Sequence, residues 1–108
     1  MAAKSIFKLS LLEVERLIRN RAKRTANVRL TNHALARMKS RHIAREEVFD
    51  VLCLGRLARA PEPNSALGSL ECRMQRFMSG RELAVVAAIS DEDPAVIVVT
   101  AIVLDGGK

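Results

Sequence analysis

Two stretches near the C-terminus, LAVVAAI at 83–89 and AVIVVTAIVL at 95–104, are apolar at almost every position and rich in Val and Ile. A strand with one wet face alternates between apolar and polar residues. A strand that is apolar in both phases belongs in the middle of a sheet, covered on at least one face. Both stretches are strand-sized, well short of the roughly 20 residues that a membrane-spanning helix needs. A chain of 108 residues has room for one such core. Its hydrophobic share of 49% is enough to fill that core, which excludes a disordered chain and a large multidomain enzyme.

The remaining elements follow from spacing. Ser10 and Glu13 have the separation of a capping box, and Phe7, Leu11, Val14 and Ile18 form a helical stripe, so a basic amphipathic helix is expected over 11–24. Residues 28–30 read as a short strand. Thr31 or Asn32 can cap a second helix reaching about Lys39, and after a corner at 41–43 a third helix turns Val48, Val51 and Leu52 inward and ends at Gly55. A short strand is expected over 56–60, then a loop over 61–65, because Pro61 and Pro63 cannot donate to a ladder. In 69–78, Leu70, Cys72, Met74 and Met78 alternate with Glu71, Arg73 and Gln75 until Arg76 and Phe77 break the phase, which suggests a bulge there. Ser79-Gly80 suits a hairpin turn. The expected order is α, β, α, α, β, β, β, β. The expected division is an N-terminal helix at 1–27, an α+β domain at 28–105 and a tail at 106–108.

Charge is unevenly spread. The chain carries +6, yet between Arg16 and Arg45 there are ten basic residues and no acidic one. Such a field attracts polyanions, RNA or DNA first, unless it is only a solvated face that keeps the protein soluble. Lys8, Glu13 and Glu15 are unlike a secretory or transit leader, so a cytoplasmic address and no membrane are the expectation. Cys53 and Cys72 have neither zinc-ligand spacing nor a disulfide framework around them and read as reduced, small hydrophobes. No metal and no cofactor is expected.

Thr31-Asn32-His33-Ala34, Arg37-Met38, Arg41-His42-Ile43, Glu46-Glu47-Val48 and Leu52, followed by a hairpin and Val98-Val99-Thr100-Ala101, resemble the DUF4258 family over about residues 28–104. The family is similar in fold to the RelE/ParE and BrnT toxins. The resemblance implies two or three helices on one face of a mainly antiparallel four- or five-stranded sheet, with the N-terminal helix added. It also implies, by fold analogy, relatives that cleave RNA and pair with antitoxins. The family usually has Gly at the position of His42 and often Ser at that of Ala44. His42 is therefore expected in a left-handed conformation, and the third helix without its usual cap. RelE-like nucleases commonly use Lys, Arg and often Tyr near the C-terminal end, whereas this chain has no Tyr and only Lys108 there.

His33, Arg37 and Arg41 are spaced four apart, so on one helix they share a face. Attack by a 2′-hydroxyl needs a base, an acid and cations for the charge that develops on phosphorus. His33 and Arg37 are the candidate catalytic pair. Arg41, Arg73, Arg76 and Arg29 are the candidate phosphate contacts, with Arg73 or Arg76 completing a clamp from a facing strand. A second proton-transfer group is missing. The structural alternatives are that His33 bonds a strand carbonyl or completes its helix terminus, and that Arg37 pairs with Glu47 or Asp50. A helix-turn-helix over 32–54 is disfavoured, because Glu46, Glu47 and Asp50 would face DNA phosphates.

The expected function is a basic RNA-interacting protein, in its sharper form a metal-independent endoribonuclease, with RNA or the ribosome and an antitoxin-like protein as partners. The alternative is a non-catalytic interaction module, or a homo-oligomer formed through the N-terminal helix.

Overall fold

The computed structural model describes residues 5–104, so the tail expected at 106–108 lies outside the described residues. Helix α1 spans Leu11–Ala22 and strand β1 Val28–Leu30, followed by α2 over Asn32–Arg41 and α3 over Arg45–Leu54. The strands β2 (Arg56–Leu57), β3 (Glu62–Asn64), β4 (Ser69–Met78), β5 (Arg81–Ser90) and β6 (Val96–Leu104) follow. The described sheet has six strands in the order β1-β6-β5-β4-β2, with β3 on β4. Only β1 runs parallel to its neighbour, Val28–Leu30 lying against Val96–Val98 of β6. This is an α+β fold, and the two apolar runs are the central strands.

The helices cover one face. Leu70, Cys72 and Met74 of β4, Leu83, Val85, Ala87 and Ile89 of β5, and Val96, Val98 and Ala101 of β6 join one core with Val14, Ile18 and Ala22 of α1, Ala34 and Met38 of α2, and Val48, Val51 and Leu52 of α3. The α1 stripe thus splits: Val14 and Ile18 are core, whereas Phe7 and Leu11 remain exposed. Ser10 and Glu13 form the expected capping box, with bonds of 3.1 and 2.8 Å. His42 is left-handed (φ 55, ψ 47) and closes α2 with its N–H on Lys39 and Met38 carbonyls. The side chain of Ala44 offers no acceptor to α3, and the compensation runs the other way, from the Ala44 N–H to Glu47 Oε1 at 2.8 Å.

Several local expectations are corrected. No bulge interrupts β4, whose register with β5 is continuous from Ser69↔Ser90 to Met78↔Arg81, so Arg76 lies in the helix-side phase and Phe77 in the opposite one. The irregularity falls instead on β6, where Val86 and Ala87 pair with Thr100 and Val98 and skip Val99. Only Arg56–Leu57 of 56–60 is strand, while Glu62–Asn64 of the expected loop pairs with β4. Pro63 is tolerated because β3 is an outer strand. Ser79 and Gly80 both take positive φ, 54° and 79°, as a type I′ turn requires.

Two contacts fix the periphery. Asp91 accepts from the Ile6 N–H (2.8 Å) and the Ser5 hydroxyl (2.7 Å), tying the N-terminal 3-10 turn at Ile6–Lys8 to the β5–β6 connection. At the other end of the layer Gly55 lets α3 descend onto β4, for a Cβ there would lie 2.4 Å from the Val51 carbonyl oxygen and 2.6 Å from that of Gln75. Both obstacles are backbone.

Gly55→Ala is therefore expected to destabilise the protein by about 2–3 kcal/mol, the upper range for overpacking, read from the urea midpoint. The amide of Ile6 and, after it, the hydroxyl of Ser5 hold the Asp91 carboxyl below its usual value of 3.8. Anchoring of the 3-10 turn is then complete above that value and is lost as pH falls through the lower folded-state value. The Ile6 amide proton shift should titrate with a midpoint below 3.8; a midpoint at or above it would refute the anchor.

Candidate functional site

Four cations of the acid-free stretch serve the fold. Arg19 donates from Nε and Nη2 to the Gly55 carbonyl. Arg21 Nη1 bonds the carbonyls of Ser90 (2.9 Å) and Asp93 (3.2 Å). Arg41 Nη1 reaches the Ala101 carbonyl on β6 at 2.8 Å, and Arg29 lies 3.7 Å from the Asp93 carboxylate. A guanidinium with five donors suits this work, because strand and helix ends leave carbonyls without partners.

The other six, Arg16, Lys23, Arg24, Arg37, Lys39 and Arg45, are exposed and make no ion pair among the described residues. Arg16, Arg19, Asn20 and Lys23 recur at helical spacing along α1. With Cys53 and Leu54 they line a depression of about 400 Å³ between α1 and the end of α3. Burial pushes the Cys53 thiol up, with Asp50 adding to the effect and Lys23 opposing it. Cys72, deeper and beside Glu71, is pushed by burial up to about 12. Neither is a poised thiolate.

His33 and Arg37 are both exposed on α2, one turn apart, and His33 has no hydrogen-bond partner among the described residues. The structural task considered for His33 falls to Thr31, whose hydroxyl donates to the Val98 carbonyl at 2.9 Å and accepts from the Ala34 N–H at 3.1 Å. Arg37 does not pair with Glu47. That carboxylate takes Arg81 Nη2 at 3.1 Å, and Arg81 also donates to the Arg41 and His42 carbonyls. The Ala44 amide holds Glu47 below the usual carboxylate value, with Ser79 and Arg81 acting in the same direction. The alternation of β4 does not single out Arg81; only the hairpin returning beneath the α2–α3 corner brings it there.

The clamp from a facing strand is not assembled. Helix α2 packs on β6, whereas Arg73 and Arg76 sit on β4 with β5 between. Arg73 belongs to the phase that faces away from the helices and Arg76 to the helix-side phase. The Nε of each is buried without a hydrogen-bond partner. His33 and His42 stand at opposite ends of α2, about 13 Å apart along the axis at 1.5 Å per residue. Among the described residues no three His, Cys, Asp or Glu side chains gather as a metal site, and no helix is long and apolar enough to cross a membrane.

An α+β domain with helices on one sheet face and exposed cations drawn from a stretch of chain without acidic residues is the class this geometry defines. Residues 30–103 match the family model described as a domain of unknown function, DUF4258, and the chain belongs to that family. No curated protein and no solved structure matches it.

Arg41 and Arg37 separate fold from surface. Arg41→Ala should cost about 1–2 kcal/mol, the penalty for orphaning a carbonyl, whereas Arg37→Ala should stay within about 0.5 kcal/mol of wild type. Thermal or urea unfolding of the two variants reads both; equal losses would contradict the assignment.

Proposed function

We propose that the protein binds RNA through the sugar–phosphate backbone, using the exposed cations of α1 and α2, and does so without cutting it. The observation that carries this reading is the set of six exposed cations in the stretch from Arg16 to Arg45, which itself contains no carboxylate, with no ion pair to any of the six among the described residues. Cations without local counter-charges gain most from displacing the ions condensed on a polyanion. Arg37 on α2 takes a phosphate beside His33, Lys39 takes one on another face of the same helix, and Arg16 and Lys23 take another at the α1–α3 depression. Arg29 and Arg41 contribute field more than contact, because Asp93 and the Ala101 carbonyl hold their guanidinium groups.

The motif order resembles DUF4258, a family whose fold is similar to that of the RelE, ParE and BrnT toxins, and this analogy makes RNA the first polyanion to try. It does not carry cleavage. Transfer by the 2′-hydroxyl wants two proton-transfer groups across one phosphate, and the chain's other imidazole, His42, stands at the far end of α2 from His33. Arg73 and Arg76 lie too far across the sheet to complete a cationic cage around it.

The test is a gel with end-labelled single-stranded and hairpin RNA in EDTA, run over a salt series. Shifted, intact RNA is expected, with affinity falling steeply as salt rises. Arg37→Ala and Lys39→Ala should each lower the slope of log K against log salt by about 0.7–1. Cleavage that His33→Ala abolishes would replace this reading with a nuclease. No shift at low salt would end the RNA proposal altogether.

A further inference from the structure

The sheet has a second face, opposite the helices, that no helix among the described residues covers. Its floor is Ala84, Val86 and Ala88 of β5, members of the phase opposite the helix-side one, with Ala84 and Val86 already buried among their neighbours and Ala88 half-exposed. Ile97, Val99 and Ile102 of β6 stand beside them half-exposed, and on β4 Phe77 is 64% exposed. Also on this face of β4 are Glu71 and Arg73, two residues and so about 7 Å apart. Neither side chain has a hydrogen-bond or ion-pair partner among the described residues, and Arg73 Nε is buried without one. Where β4 begins, a depression of about 390 Å³ opens between Ser69, Glu71, Ala88 and Ile97, with Leu67 on its rim 75% exposed.

We propose that this face binds a second copy of the chain about a two-fold axis that crosses the strands at the level of Cys72. Residues equally far before and after Cys72 on β4 then face one another across the interface. Arg73 of each copy lies over Glu71 of the other, giving two ion pairs. Phe77, five positions after Cys72, comes about two residues beyond Ser69 of the other copy, where Leu67 of the preceding turn rims the depression. A space of about 150 Å³ already holds a benzene ring, so the depression admits the phenyl group. On β5 Ala87 is the register partner of Cys72, so Val86 of one copy meets Ala88 of the other, small against small.

One symmetry operation thus matches charge to charge, ring to hollow and small residue to small residue. An isologous interface has to be self-complementary in this way. The geometry is that of two sheets stacked face to face about 10 Å apart with their strands within about 30° of alignment. A polyanion is the poorer occupant. Glu71 and Glu82 line this face, and Glu82 already takes Arg56 at 3.8 Å and Gln75 at 3.2 Å. The inference is independent of the RNA reading, whose cations lie on the helix side.

Sedimentation velocity or light scattering of the full chain tests it. The wild type is expected to be a concentration-dependent dimer. Arg73→Glu alone puts Glu against Glu twice, and Glu71→Arg alone puts Arg against Arg twice. Each should weaken association about tenfold or more, because like charges facing one another are costly. An equimolar mixture of the two variants should dimerise again, since both cross-pairs are then of opposite sign, and this recovery shows that both variants are folded. A wild type that stays monomeric, single variants that dimerise as well as wild type, or a mixture that stays monomeric would each overturn the proposal.

Discussion

The structure depends on two adjacent strands, β5 and β6, that are apolar in both phases. Pairing them side by side buries their backbone groups but leaves two greasy faces, and three short helices can cover only one. That face becomes the single core, where side chains such as Val85, Ala87 and Val98 meet α1, α2 and α3. Everything else is arranged around this requirement: β1 protects the outer side of β6 over Val96–Val98, and β2 and β3 share the outer side of β4. The opposite face is left as a shallow aliphatic surface bordered by Glu71, Arg73, Gln75 and Phe77.

Arginine does two separate kinds of work in this protein. Arg19, Arg21, Arg41 and Arg81 direct their guanidinium groups at main-chain carbonyls where helices end or strands lack a neighbour. These bonds hold α1 to α3, α1 to the β5–β6 connection, and the α2–α3 corner to the hairpin beneath it. Each such carbonyl would otherwise need water at a half-buried position. The remaining cations of the stretch are exposed and form no ion pair among the described residues. Net charge therefore overstates the surface available to a polyanion, and the separation of bonded from unbonded cations gives a better measure of it.

Much of the fold was legible because local rules and tertiary packing agree. The Ser10–Glu13 box, the Val48, Val51 and Leu52 stripe and the Ser79-Gly80 turn each rest on interactions within a few residues, whereas the left-handed His42 was implied by the family resemblance. The errors have separate physical causes. At Arg76–Phe77 hydropathy broke phase although the backbone did not, because a long Arg stem can occupy a half-buried helix-side position. At 62–64 prolines suggested a loop, but an outer strand tolerates a missing donor. The candidate site was less legible, since spacing along α2 groups His33, Arg37 and Arg41 without saying which of them the sheet will use.

By itself the sequence determined the two central strands, the capped helices and an acid-free basic stretch, because periodicity, capping and charge are properties of neighbouring residues. Tertiary structure decided which cations are spent on carbonyls, that Glu47 pairs with Arg81, and that Arg73 faces away from α2. Those outcomes depend on strand order and on which face the helices cover, and both are set only when residues far apart in the chain compete for the same buried surface.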